Sequence, residues 1–258
     1  MVIGPELGRG VFGQVFKGTL RGSVVAVKQL KDKLKDLTQF ETEITIMTKI
    51  RHPNVVLFMG ASFDPPLIVT EYLEGGDLHE TITSYHAKLE NRDLIPMADA
   101  VKLAVGIAKG MSWLHQSIPP IIHKDLKPKN VMIDSHGTPK IIDFGLSEIQ
   151  TQREIEKKKI AGSASWMAPE MLKGDVYTEK LDVYAFGIMI WQLFTGSIKV
   201  YDTTKYDGLQ ANVAFQAFIN DICDQRVGPS YAAAHPKLFE SQPPPSCAHR
   251  RVLLGPQP

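Results

Sequence analysis

The sequence predicts an α+β chain of two lobes: a small β-rich lobe with one helix, then a larger, mainly helical lobe. Three observations carry this. Residues 2–31 read as strands, whereas the chain from Asp77 onward reads as helical. Glu74-Gly75-Gly76-Asp77 follows an apolar strand and reads as a connector between lobes. A chain of 258 residues is long enough for one large core or two modest ones. The expected division is 1–73 for the small lobe and 74–240 for the large lobe. Residues 241–258 form a Pro-rich tail that is expected to be poorly ordered.

Composition narrows the function. The formal net charge is +1, so charge gives no reason to expect a nucleic-acid partner or a membrane surface. Two cysteines, Cys223 and Cys247, are too few for a disulfide framework. They favour a reducing, intracellular setting, with the cytoplasm as the default location. No apolar run approaches the ~18 residues of a membrane-spanning helix, so no membrane span is expected. The N-terminus lacks the basic-then-apolar pattern of a signal peptide.

In the small lobe, Gly8-Arg9-Gly10-Val11-Phe12-Gly13-Gln14-Val15 is a glycine-rich turn between strands. Glycine lets backbone amides approach phosphate oxygens without a side-chain clash. A dinucleotide-binding fold needs a helix directly after such glycines. Here Gln14 to Gly18 continues as strand and turn. Val24 to Lys28 is a buried-type strand ending in a lysine. Asp36 to Ile50 reads as an amphipathic helix, with Asp36 as N-cap and Gln39 completing a capping box. Phe40, Ile44, Met47 and Ile50 mark its apolar face. Glu43 sits on the edge of that face, where an unpaired carboxylate is costly. It needs a partner, and Lys28 fits; Glu41 lies further from the stripe.

His52 to Ala61 reads as a turn and a strand, and Leu67 to Leu73 as another strand. In the large lobe, Asp99 to His115 is the clearest helix, with Val101, Val105, Ala108 and Met111 or Trp113 expected to turn inward. Leu89 to Ile95 is expected to loop between helices. Thr178 to Phe194 is the most apolar helix, with Asp182 buried in its pattern. Ala211 to Cys223 reads as the next helix, and His235 to Leu238 as the start of another.

Between these helices lies the stretch richest in chemistry. His123-Lys124-Asp125-Leu126-Lys127-Pro128-Lys129-Asn130 is flanked by the apolar runs Ile121-Ile122 and Val131-Met132-Ile133, so it reads as a loop held between two short buried strands. It offers a carboxylate to orient a hydroxyl, ammonium groups to neutralise a phosphate, and an amide to hold a hard cation. Asp143-Phe144-Gly145 follows a second apolar pair. Two carboxylates and an amide at strand ends suit a magnesium-nucleotide site.

These residues resemble the catalytic loop and metal-binding triplet of eukaryotic protein kinases. His52 to Ala61 and Gly162 to Glu170 resemble the Raf-like, or tyrosine-kinase-like, group of Ser/Thr kinases. The resemblance implies a two-lobed protein-kinase fold that uses ATP and Mg2+ to phosphorylate serine or threonine hydroxyls of protein substrates. It implies Asp125 as base, Lys127 at the transferred phosphoryl group, Lys28 on the α- and β-phosphates with Glu43 bracing it, and Asn130 and Asp143 as metal ligands. It assigns nucleotide binding to Gly8, Gly10, Gly13, Val15, Ala26, Lys28, Thr70, Glu71, Leu73, Asp77 and Met132. Asp125-Leu126-Lys127-Pro128 is the Ser/Thr-type form. His123 and Phe144 are expected to pack in a hydrophobic spine with Met47 and Phe58, and Asp182 to brace the catalytic loop.

Two departures stand out. Lys124 replaces the commoner arginine, which makes control by an activation-segment phosphate less secure. Thr151, Ser163 and Ser165 are the hydroxyls on offer, with Ser163 expected in a structural role beside Asp125 and Lys127. The second departure is the tail. The family places there a Cys-Trp pair and an Arg-Pro whose arginine meets Glu170, whereas this chain reads Pro243-Pro244-Pro245. A catalytically impaired ATP-binding scaffold is therefore the rival reading. A small-molecule kinase is a third, which the segment Ser163 to Glu170 argues against.

Overall fold

The computed structural model describes residues 1–9, 13–30, 37–87, 95–150 and 163–224. Expectations for Gly10, Asp36, Thr151 and everything after residue 224, the Pro-rich tail included, lie outside these residues.

The small lobe is an antiparallel sheet of β1 (Val2–Arg9), β2 (Gly13–Leu20), β3 (Ser23–Leu30), β4 (Phe58–Phe63) and β5 (Pro66–Glu71), in the order β1-β2-β3-β5-β4. Side chains alternate across a strand, so β3 serves two faces. Val25 and Val27 pack with Leu67 and Val69 on one face, against Phe16 and Leu20. Lys28 lies directly opposite Val15 on β2 and Ile68 on β5, and Ala26 opposite Thr70. Val15, Ala26, Lys28 and Thr70 therefore share the other face.

Helix α1 (Leu37–Lys49) packs on this lobe through Phe40, Ile46 and Met47, with Ile44 half-buried. Phe40 meets Phe63 edge-on at 5.5 Å between ring centroids. Gln39 was expected to fold back into a capping box; its amide instead donates to the Gly145 carbonyl. Strand β5 ends at Glu71, two residues before the expected Leu73, because the connector then turns to pair elsewhere.

That connector is stitched to the large lobe. Gly75 N–H donates to Ile133 O, and Ile133 N–H donates to Gly76 O, both at 2.9 Å. A Cβ on Gly75 would stand 2.6 Å from that Ile133 oxygen, and Gly76 sits at φ +74°. The glycines are there because no larger residue allows both the approach and the turn.

The large lobe holds α2 (Leu78–Ala87), α3 (Met97–His115), the short strands β6 (Ile121–Ile122), β7 (Val131–Ile133), β8 (Pro139–Ile141) and β9 (Glu148–Ile149), then α4 (Pro169–Lys173), α5 (Lys180–Thr195) and α6 (Ala211–Cys223). Helix α5 joins two cores. Ala185, Met189 and Leu193 enter the large cluster that runs up to Phe40, while Leu181 and Ile188 enter a lower cluster with Met171, Tyr201 and Phe218.

Helix α3 corrects one expectation. Val101, Val105 and Trp113 are exposed and Ala108 is half-buried; Met111 alone of that set is buried. The buried stripe is Ala100, Leu103, Ala104, Ile107, Met111 and Leu114, with Gly106 and Gly110. The two glycines decide the face. They let α3 close on β8 and Asn54, where a Cβ would meet Pro139, Ile141 or Asn54 within 3 Å. Trp113 instead stacks on His52 at 5.5 Å. Ile95, expected in a loop between helices, is buried in the large cluster; residues 88–94 are outside those described.

Candidate active site

The stretch from His123 to Asn130 hangs between two ladders. Strand β6 pairs with β9, and β7 pairs with β8, so residues 123–130 are fixed at both ends. Asp182, from α5, holds the backbone between them. Its carboxylate accepts from His123 N–H at 2.8 Å and Lys124 N–H at 2.9 Å, with His115 Nε2 at 2.9 Å. The side chain is buried, and these donors satisfy it as a buried carboxylate requires. Lys124 adopts φ +69°, a conformation that a non-glycine residue keeps only when its surroundings impose it.

His123 is fully buried against Phe144, ring centroids 5.3 Å apart. Its Nδ1 accepts from Asp125 N–H at 3.3 Å, so Nε2 carries the proton donated to Ile142 O at 3.0 Å. It packs and positions. Phe144 and Met47 lie in one cluster with Phe58 packed against it.

Around Asp125 the donors converge. Oδ2 accepts from Lys127 Nζ at 2.6 Å and from Asn130 Nδ2 at 3.0 Å, and Oδ1 from Ser163 N–H at 3.2 Å. Lys127 Nζ also reaches Ser163 Oγ at 2.8 Å. The carboxylate is held in one orientation from three directions. Asn130 Nδ2 further donates to Asp125 O at 2.7 Å, and Asn130 O accepts from Ile142 N–H at 2.9 Å. That last bond brings Asn130 beside the residue preceding Asp143.

The second group spans the lobes. Lys28 Nζ lies 2.8 and 3.0 Å from the two Glu43 oxygens and 2.8 Å from Asp143 Oδ1. Burial opposes the Lys28 charge, but Asp143 and Glu43 outweigh it and hold the ammonium above the ordinary lysine value. Burial also opposes the Asp143 charge, yet Lys28 prevails and keeps Asp143 below the usual carboxylate value. At Glu43 burial wins over Lys28, and its value is raised. Asp143 sits at φ +62°, which turns its carboxylate out of the strand path.

Two carboxylates on one ammonium leave an excess negative charge. That suits a divalent cation. Among the described residues no three His, Cys, Asp or Glu side chains gather into a cage. Magnesium fits such a sparse set, because it keeps waters and takes substrate phosphate oxygens beside one or two protein oxygens. Asp143 and the Asn130 amide are the fitting donors here.

One face of the sheet holds Val15, Ala26, Thr70 and Lys28, and Met132 of the large lobe is bridged to Asp77. Gly8 has open space where a Cβ would be, which leaves its backbone approachable. Gly13 has a different need: a Cβ there would run into Gln29 O, so its glycine serves strand pairing. Asp77 caps α2: its Oδ1 accepts from Glu80 N–H at 2.7 Å, and Glu80 returns a bond to Asp77 N–H. Leu73 is buried.

Some positioning residues escaped the sequence reading. Glu71 is expected only at the nucleotide, but its side chain also accepts from Leu57 N–H at 2.8 Å and Lys140 Nζ at 2.9 Å. Asn54 is buried and donates to Pro139 O at 2.9 Å. Gln192 is fully buried and accepts from Trp166 Nε1 at 2.9 Å. The polar breaks in the apolar patterns around Asn54 and Gln192 are the signal that could have found them.

Comparison with known proteins agrees with this geometry. The family model for protein tyrosine and serine/threonine kinases matches residues 1–220. The chain is 46% identical over 215 residues, 81% of its length, to a Dictyostelium discoideum protein named "Probable serine/threonine-protein kinase", and covers 22% of that protein. It is 41% identical over 195 residues, 74% of its length, to serine/threonine-protein kinase CTR1 of Arabidopsis thaliana, and covers 23% of it. It is 38% identical over 242 residues, 91% of its length, to dual specificity protein kinase shkA of D. discoideum, and covers 43% of it. The chain thus spans less than half of each of these relatives. With the family model matched from residue 1 to residue 220 and the two-lobed fold in place, this chain belongs to the protein tyrosine and serine/threonine kinase family.

Proposed function

We propose that the chain transfers the γ-phosphoryl group of ATP to serine or threonine hydroxyls of a protein substrate. One observation carries the reading: Lys28 bridges Glu43 and Asp143 while Lys127 bridges Asp125 and Ser163, so both halves of the site are assembled together. Asp125 orients the acceptor hydroxyl and takes its proton. Lys127 steadies the transferred group, and Lys28 grips the α- and β-phosphates. Val15, Ala26, Thr70, Leu73 and Met132 line the adenine side, the backbone of Glu71 and Leu73 meets its edge, and Asp77 reaches the ribose. Asn130 and Asp143 hold magnesium, which when bound neutralises and aligns the phosphates. Phosphoryl transfer is mostly positioning and charge stabilisation, and a rigidly held carboxylate serves it.

The lobes divide near residue 73, with the nucleotide between them. Serine or threonine preference rests on Asp125-Leu126-Lys127-Pro128. A cytoplasmic setting is supported by the count of two cysteines, too few for a disulfide framework. Among the described residues no helix is long and apolar enough to cross a membrane.

The test is magnesium-dependent transfer of labelled phosphate from ATP to a generic Ser/Thr substrate, comparing the chain with Asp125→Ala once circular dichroism shows both fold. Transfer by the parent that vanishes in the variant is the expected result. A folded chain whose melting temperature rises with Mg-ATP but which transfers nothing is a binding scaffold, and overturns the proposal.

A further inference from the structure

Glu148 lies directly opposite Ile122 in the β6–β9 ladder. Lys124 follows two residues later, past the end of β6, where its φ of +69° turns the chain out of the strand. They meet: Lys124 Nζ is 3.1 Å from Glu148 Oε2. Tyr177, from the segment between α4 and α5, donates its hydroxyl to the same oxygen at 3.1 Å. The Lys124 ammonium also stands 5.3 Å from the centre of the Tyr177 ring. Neither member of the ion pair is widely open to solvent, at 12% and 19% side-chain exposure. The backbone runs the same way, with Gln150 N–H donating to Pro120 O at 2.8 Å and Ser147 Oγ to His123 O at 3.2 Å.

Lys124 stands where the resemblance places an arginine that forks onto an activation-segment phosphate. An arginine offers a planar pair of donors matched to a phosphate, whereas a lysine offers one compact charge matched to one carboxylate oxygen. We propose that Glu148 is a built-in anion for Lys124, so that the start of the activation segment is tied to the catalytic loop without phosphorylation. Lys124, Glu148 and Tyr177 are positioning residues: they act on Asp125 through the backbone of residues 123–125, which Asp182 holds from the other side. A phosphate added nearby would bring about −1.5 to −2 charge to an ammonium already matched, and would compete with Glu148 for it.

The inference rests on the proposed kinase activity, so its test has a second readout. The full chain is treated with a broad-specificity phosphatase, its unmodified mass is confirmed, and transfer is compared with Glu148→Gln and Glu148→Asp. Amide hydrogen exchange across residues 146–150 is followed for each. The dephosphorylated parent is expected to keep at least about half its kcat. Glu148→Gln is expected to lose about 10-fold or more in kcat with KM for ATP changed less than about twofold, and Glu148→Asp to recover much of it. Exchange at 146–150 should quicken in Glu148→Gln. Loss of transfer on dephosphorylation, or Glu148→Gln matching the parent in both readouts, overturns the inference. If the parent transfers no phosphate in any state, the kinase reading fails, and the exchange comparison alone decides the tether.

Discussion

Lys28 and Asp143, 115 positions apart in the chain, meet with Nζ 2.8 Å from Oδ1. Glu43 completes the contact at 2.8 Å from the same ammonium. One strand, one helix and one loop thus converge on a single charge, and the pH response of the fold follows from it. Asp143 is held below the ordinary carboxylate value. Its contribution to stability is present above the unfolded value and is lost as pH falls through the folded one. Glu43 is raised, so its contribution is complete below the unfolded value and is lost as pH rises through the folded one. The two slopes oppose. Between about pH 6 and about pH 3, Asp143→Asn should lose less stability than the parent and Glu43→Gln should lose more. Urea midpoints at each pH read this directly, and parallel slopes for both variants would contradict it.

Asp182→Ala removes the acceptor for two backbone donors and the partner of His115. It leaves buried N–H groups without partners, so a loss of about 3–5 kcal/mol is expected. The urea midpoint should fall with little change in slope. His115→Ala, which leaves both backbone bonds in place, should cost clearly less. Equal costs would mean that the loop backbone does not depend on Asp182.

Much of this site was legible because chemistry forces rare residue types into apolar surroundings. Glu43 on the edge of a helix stripe and Asp182 inside the most apolar helix both demanded partners, and both have them. The face of α3 was not legible in the same way. Val101 and Val105 are larger and more apolar than the residues beside them, yet both are exposed. Helix α3 turns its glycines inward because β8 and Asn54 approach too closely for a Cβ, and periodicity of apolar residues carries no record of that approach. Glu148 was hidden for another reason. In sequence it opens a charged, polar stretch, and only the β6–β9 register sets it across from the catalytic loop.

Ser163 stands between Lys127 and Asp125 through two different groups, its hydroxyl and its N–H. Ser163→Ala removes the hydroxyl bond to Lys127 and keeps the backbone bond to Asp125. A fall of about 10-fold in kcat with KM for ATP nearly unchanged is expected. Ser163→Thr keeps the oxygen and should restore most of the rate. If the threonine variant is as slow as the alanine variant, the lost rate reflects packing and not the hydroxyl.

Gly106 and Gly187 share a residue type and a helix interior, but their surroundings predict opposite signs. A Cβ on Gly106 would stand 2.5 Å from Pro139 Cγ and 2.9 Å from Asn54 Nδ2. Proline is rigid and Asn54 is committed to Pro139 O, so neither moves aside cheaply. Gly106→Ala should therefore cost about 1–3 kcal/mol through overpacking, outweighing the gain from a better helix former. Gly187, on the exposed side of α5, has nothing within 4 Å of a built Cβ. Gly187→Ala gains helix propensity with no clash and should stabilise by up to about 1 kcal/mol. Thermal melts of the two variants beside the parent settle the matter. Midpoints moving apart in these directions place the helix–strand approach at Gly106, and a stabilised Gly106→Ala would mean that α3 stands further from β8 than the structure has it.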